Sequence, residues 1–131
     1  MHARLQAEVR VRAQGRCEYC QSPESFTRVP FQFDHVIPQK HGGPTTLDNL
    51  ALSCFFCNTR KGPNLSGLDP ETGELTRLFH PRQDRWQDPF RWEGPVLVGL
   101  TAIGRVTIRV LDINRADAVI VRRSLQMEGV I

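Results

Sequence analysis

Apolar and polar positions along the chain change rhythm several times. Over residues 3–14, Leu5 and Val9 stand four apart among polar neighbours and Gly15 follows. That spacing predicts a helix that stops at the glycine. Cys17-Glu18-Tyr19-Cys20 reads as a tight knuckle, and 21–27 as loop. Phe31, Phe33, Val36 and Ile37 mark 29–37 as a strand, with an extended piece near 25–28 as its candidate partner. Gly42, Gly43 and Pro44 then break regular structure. Ser53 is placed to cap a short helix from Cys54 to Lys61, with Gly62 just past its end and Pro63 beyond.

The second half is less regular in pattern. Positions 63–95 are rich in Pro and Gly and predict an extended wrap with little regular structure. Phe79, Trp86, Phe90 and Trp92 are expected to pin that wrap to the core. In 96–113, Val106, Ile108 and Val110 alternate like a strand, while Ile103, Val106 and Val110 also fit a helical stripe. Thr101 as a cap favours helix. Residues 115–125 predict a last helix with Ala118, Val119, Val121 and Leu125 partly buried.

Composition narrows the class. The length of 131 residues fits one domain, and 40% apolar with 24% charged residues is a soluble, globular balance. No apolar run approaches the roughly 18 residues of a membrane span. The stretch MHARLQAEVRVRAQ carries charge throughout and has no signal-peptide core. We therefore expect a cytoplasmic protein with reduced thiols. The formal net charge of +3 treats the cysteines as neutral. Four thiolates around one Zn²⁺ leave about +1, so net charge alone argues weakly for a polyanionic partner. Local clusters say more: Arg10, Arg12 and Arg16 come first, then Arg60 and Lys61. Arg105, Arg109, Arg115, Arg122 and Arg123 follow in the tail. Arginine is the better fork for phosphate, although each could equally be solvated surface.

Cys17, Cys20, Cys54 and Cys57 form two CxxC pairs. Each pair grips a metal from one turn, and two turns complete a tetrahedron. The expected ion is zinc, with two disulfides or buried free thiols as alternatives. Four thiolates leave no position for water, so this zinc is structural and helps a small core to fold. Within and just after this clamp lie Asp34, a hard oxygen ligand, and His35, a ligand or general base. Asn49 carries a positioning amide, and Asn58 a carbonyl oxygen next to the last cysteine.

The stretches DHVIP, HGG, LDNL and CFFCNTRKG resemble the HNH endonucleases, the ββα-metal (His-Me finger) family, over Cys17 to Gly62. The resemblance implies an α+β fold: a ββα-metal core at about 15–62, stapled by the four-cysteine zinc, with an extension over about 63–131 of a single 1–131 domain. It implies that Asp34 and Asn58 hold one divalent cation, that His35 takes a proton from the attacking water, and that Asn49 orients the His35 loop. An amide oxygen suits Mg²⁺ or Mn²⁺ better than softer ions. A base with an ordinary imidazole pKa predicts activity rising from roughly pH 6 to 8. Neighbours on a regular strand point to opposite faces, so a shared Asp34–His35 site predicts an irregularity near 34–37.

The expected activity is metal-dependent hydrolysis of phosphodiester bonds in DNA, with Arg60 and Lys61 as candidate phosphate contacts and no membrane partner. A non-catalytic zinc-containing nucleic-acid-binding module is the alternative, and a disulfide-stapled interaction protein a third. His41 and His80 read as loop and structural residues. In the tail, LFHPR, DRWQDPFRW and GLTAIGRVTIRVLDIN are similar to small stand-alone HNH proteins, with Pro89 where that group carries His.

Overall fold

The computed structural model describes residues 1–131. The chain forms two compact units. One comprises Met1–Leu65 and His80–Asp84, the other Ser66–Phe79 and Arg85–Ile131. Helices and short antiparallel strand pairs make the fold α+β.

The first unit opens with helix α1 (Ala3–Ala13), whose Val9 is fully buried. The helix ends because Gln14 and Gly15 both take left-handed backbone, at φ 55° and 66°. Glycine does this without a Cβ clash, and the Gln14 and Gly15 amides satisfy the last carbonyls. Strand β1 (Gln32–His35) pairs antiparallel with β2 (Leu50–Ser53), in the register Asp34 opposite Ala51 and His35 opposite Leu50. Helix α2 (Phe55–Lys61) follows at once, which completes a ββα order.

Several sequence expectations change here. The strand is shorter than 29–37, and its partner is β2 rather than 25–28, where Glu24–Phe26 make a single 3-10 turn. All four β2 residues are buried, so the segment has no polar alternation to betray it. The α2 cap is Cys54 rather than Ser53, its Sγ accepting the Cys57 amide at 3.4 Å. Ser53 is fully buried within β2.

The second unit holds two hairpins, β3–β4 (Ser66–Leu68 with Leu75–Arg77) and β5–β6 (Phe90–Glu93 with Val96–Gly99). Residues 63–95 hold little regular structure, as expected, but the strands β3, β4 and β5 within them go beyond that expectation; three or four residues carry too short an alternation to register. Helix α3 (Ala102–Val110) starts at the Thr101 cap, whose hydroxyl accepts the Gly104 amide at 3.3 Å. Residues 96–99 are strand β6, so only the latter part of 96–113 is helical. Phe79, Trp86, Phe90 and Trp92 pack on one another, with ring centroids 5.2–5.9 Å apart. Helix α4 (Ala116–Met127) buries Arg122 and leaves Val121 57% exposed, reversing the expected face at that position. Arg122 repays its burial by donating to the Pro95 and Ile113 carbonyls while lying over the Trp92 ring.

Candidate active site and metal centre

The sulfur cage belongs to two knuckles of the same design. In each, the second cysteine's amide points at the first cysteine's sulfur, Cys20 to Cys17 at 3.5 Å and Cys57 to Cys54 at 3.4 Å. The four sulfurs lie within 4.8 Å of one another, and the Cys20 and Cys54 sulfurs are 3.8 Å apart. A tetrahedral zinc with Zn–S bonds of about 2.3 Å has S–S edges of about 3.8 Å, so the donor set fits that ion. No disulfide joins the cysteines. Burial pushes the Cys17 thiol up, whereas hydrogen bonds from the neighbouring cysteines pull Cys20 down. A crowded, buried thiol set of this kind is relieved by one cation.

The first knuckle also carries Tyr19, fully buried between its two cysteines. A buried phenol needs a partner, and this one donates to the Asp34 carboxylate at 2.6 Å. Lys61, at the end of α2, reaches both Asp34 oxygens at 3.2 Å and the His35 carbonyl at 3.1 Å. Asp34 is 5% exposed and Lys61 1%. Lys61 thus departs from the surface role expected of it: a buried carboxylate needs a counter-charge, and Lys61 supplies it. Burial pushes the Asp34 carboxyl up against the pull of Lys61 and Tyr19, and pushes the Tyr19 hydroxyl up further, keeping it a neutral donor.

Strand β1 stays in register through His35, and the Val36 amide still reaches the Asn49 carbonyl at 2.9 Å. The chain bends only at Val36 and Ile37, so the irregularity expected of the Asp34–His35 pair falls after it rather than at it. Side chains therefore alternate: Asp34 turns to Tyr19 and Lys61, whereas half-buried His35 meets Thr45, Nε2 to Oγ1 at 2.9 Å. The loop carrying Thr45 is held by Asn49. Its Oδ1 accepts the Ile37 amide at 2.9 Å, and its Nδ2 donates to the Ile37 and Pro44 carbonyls at 3.0 and 2.9 Å. The loop can approach so closely because residue 43 is glycine: a Cβ there would sit 1.6 Å from the Ile37 oxygen.

Asn58 lies on α2, half-buried, its backbone tied to Cys54 and Gly62. A hard divalent ion fits the donors present in kind. The Asp34 carboxylate retains lone pairs beyond those engaged by Tyr19 and Lys61, and Asn58 offers an amide oxygen. Arg60 is exposed. The leading arginines are spent on structure: Arg10 on Glu24, Arg12 on the Leu47 and Leu50 carbonyls flanking Asn49, and Arg16 on the Gln21 carbonyl. Glu18 clamps the knuckle to β2 by accepting the Leu52 amide at 2.8 Å, and Arg82 closes on its other oxygen. Burial and the nearby Arg12 charge push Arg82 down to about 10.

Sequence reasoning missed Tyr19, Thr45, Arg12 and the inward turn of Lys61. Only Tyr19 left a signal, because a phenol inside a metal knuckle must find an acceptor.

Residues 17–64 match the family model described as HNH endonuclease, so the chain carries an HNH endonuclease domain over that stretch, which spans the cage, β1, β2 and α2. No curated protein and no solved structure matches the chain. The domain supports nuclease activity at the level of the family, with nucleic acid as substrate and a divalent metal in use. No helix is long and apolar enough to cross a membrane.

Proposed function

We propose that this protein is a metal-dependent endonuclease that hydrolyses phosphodiester bonds in DNA, with zinc in the cysteine cage and Mg²⁺ or Mn²⁺ at Asp34 and Asn58. The observation that carries the reading is Asn49, immediately before β2, which ties the chain just past β1 to the loop whose Thr45 meets His35, inside the matched domain. When bound, the divalent ion polarises the phosphate and offsets charge on the leaving oxygen.

His35 removes the proton from water. Nε2 pairs with the Thr45 hydroxyl at 2.9 Å, and in the tautomer in which Nε2–H donates there, Nδ1 carries the free lone pair that a base uses. Asp34 brings little surplus charge, because Lys61 already balances it. An ion held there would therefore bind weakly and would lean on Asn58, water and the phosphate itself. Arg60 supplies a phosphate contact. Cytoplasmic thiols and one domain unit per nick complete the reading.

The buried Asp34–Lys61 pair is also what favours a second reading, a non-catalytic zinc-containing module that binds nucleic acid. Incubation of zinc-loaded protein with supercoiled DNA, single-stranded DNA and RNA, with Mg²⁺, Mn²⁺ or EDTA, separates the two. Metal-dependent nicking of the plasmid supports the nuclease. Retained DNA binding with no cleavage of any substrate in either metal supports the module.

A further inference from the structure

The Tyr19 hydroxyl, 2.6 Å from Asp34 Oδ2, links the two cation sites, and nothing in the proposed chemistry requires it. Tyr19 stands between two ligands of the sulfur cage, and Asp34 is the carboxylate assigned to the divalent ion. The residue is fully buried, and its hydroxyl donates to the Asp34 carboxylate. Lys61 holds the same carboxylate from α2 and reaches the His35 carbonyl, so Asp34 is fixed from two elements at once.

We infer that Tyr19 is a positioning residue, through which the sulfur cage sets the rotamer of Asp34 and so the affinity of the second cation site. The inference rests on the proposed assignment of Asp34 to that ion. A carboxylate held by Tyr19 from the knuckle and by Lys61 from α2 presents its remaining lone pairs in one direction, whereas one held by Lys61 alone can tilt and must be ordered further each time an ion binds. The cage thus shapes more than the fold: loss of zinc loosens the hydroxyl and, with it, the ligand.

Tyr19→Phe removes one oxygen and keeps the ring. In zinc-loaded protein, Mn²⁺ binding measured by electron paramagnetic resonance should weaken about 5–20-fold, with one zinc per chain retained. The half-saturating Mn²⁺ concentration for cleavage should rise by the same factor. In an Asp34→Ala background, which leaves the hydroxyl no acceptor on residue 34, Tyr19→Phe should change Mn²⁺ affinity no further. Tyr19 is the single tyrosine of the chain, so a 3-fluorotyrosine label gives one ¹⁹F resonance without any substitution. Mg²⁺ should shift it in the wild type.

Unchanged Mn²⁺ affinity in a zinc-loaded, folded Tyr19→Phe protein overturns the inference, even if thermal stability falls. So does a ¹⁹F signal indifferent to Mg²⁺ in a wild type that binds the ion. A wild type that neither binds Mn²⁺ nor cleaves overturns the underlying assignment as well, which distinguishes the two failures.

Discussion

The carboxamide of Asn49 grips residue 37 by both ends: Oδ1 accepts the Ile37 amide at 2.9 Å and Nδ2 donates to the Ile37 carbonyl at 3.0 Å. A side chain here imitates a strand's backbone, extending the β1–β2 pairing past the point where the chain bends. Asn114 does the same to Leu97 in the other unit, at 2.9 and 2.8 Å. Asn49→Asp keeps the shape but turns the donor into an acceptor facing the Ile37 and Pro44 carbonyls. Leaving such buried groups unpaired costs about 1–3 kcal/mol each. Urea unfolding should show a loss of that order, and cleavage should fall more than tenfold because the His35 loop is released.

The two glycines after His41 answer different demands. Gly42 has φ 89° and open space around a notional Cβ, so Gly42→Ala meets only the backbone cost of a left-handed conformation, about 1–2 kcal/mol. Gly43→Ala would drive a methyl to 1.6 Å from the Ile37 oxygen and 2.9 Å from Asn49 Nδ2, so the loop must move. Parallel melting curves should rank Gly43→Ala well below Gly42→Ala. Equal melting temperatures would count against the loop packing described.

Metal analysis of protein purified under reducing conditions should find one zinc per chain and four thiols that react only after the metal is stripped. Structural zinc contributes roughly 10–16 kcal/mol in small metal-dependent folds. Chelation should therefore unfold the unit holding the cage, seen as a loss of near-ultraviolet dichroism. Protein that is folded, metal-free and devoid of thiols would instead mean two disulfides.

Acid should expose a second weak point. Asp69 is buried in the other unit and accepts Arg105 Nε and Nη2, each at 2.9 Å, with the Glu71 amide and the Thr72 hydroxyl. These partners, Arg105 foremost, hold its carboxyl well below the usual range. A depressed folded-state pKa stabilises fully above the unfolded value near 3.9, and the contribution disappears as pH falls through the lower folded value. Melting temperature should drop steeply below about pH 4 in the wild type. Asp69→Asn should be less stable at pH 7 and flatter in acid.

How much of this could be read from the residues depended on range. The cysteine spacing and the DHVIP, LDNL and CFFCNTRKG stretches are local patterns; the cage followed from the first, and the α+β class from the family resemblance that the others carry. The Thr101 cap was equally local. Strand β2 was hidden because burial on both faces erases alternation, and β3 to β5 because three or four residues cannot display a period. Lys61 misled because its neighbour Arg60 is exposed, while one step along the helix turns the ammonium inward to a carboxylate 27 positions earlier. No local pattern announces such a pair.

The most direct test follows plasmid nicking by wild type and His35→Ala, both zinc-loaded, in Mn²⁺. The account predicts nicking by the wild type and a rate at least about 100-fold lower in His35→Ala, the scale of a general base. Equal rates for the two proteins would contradict it.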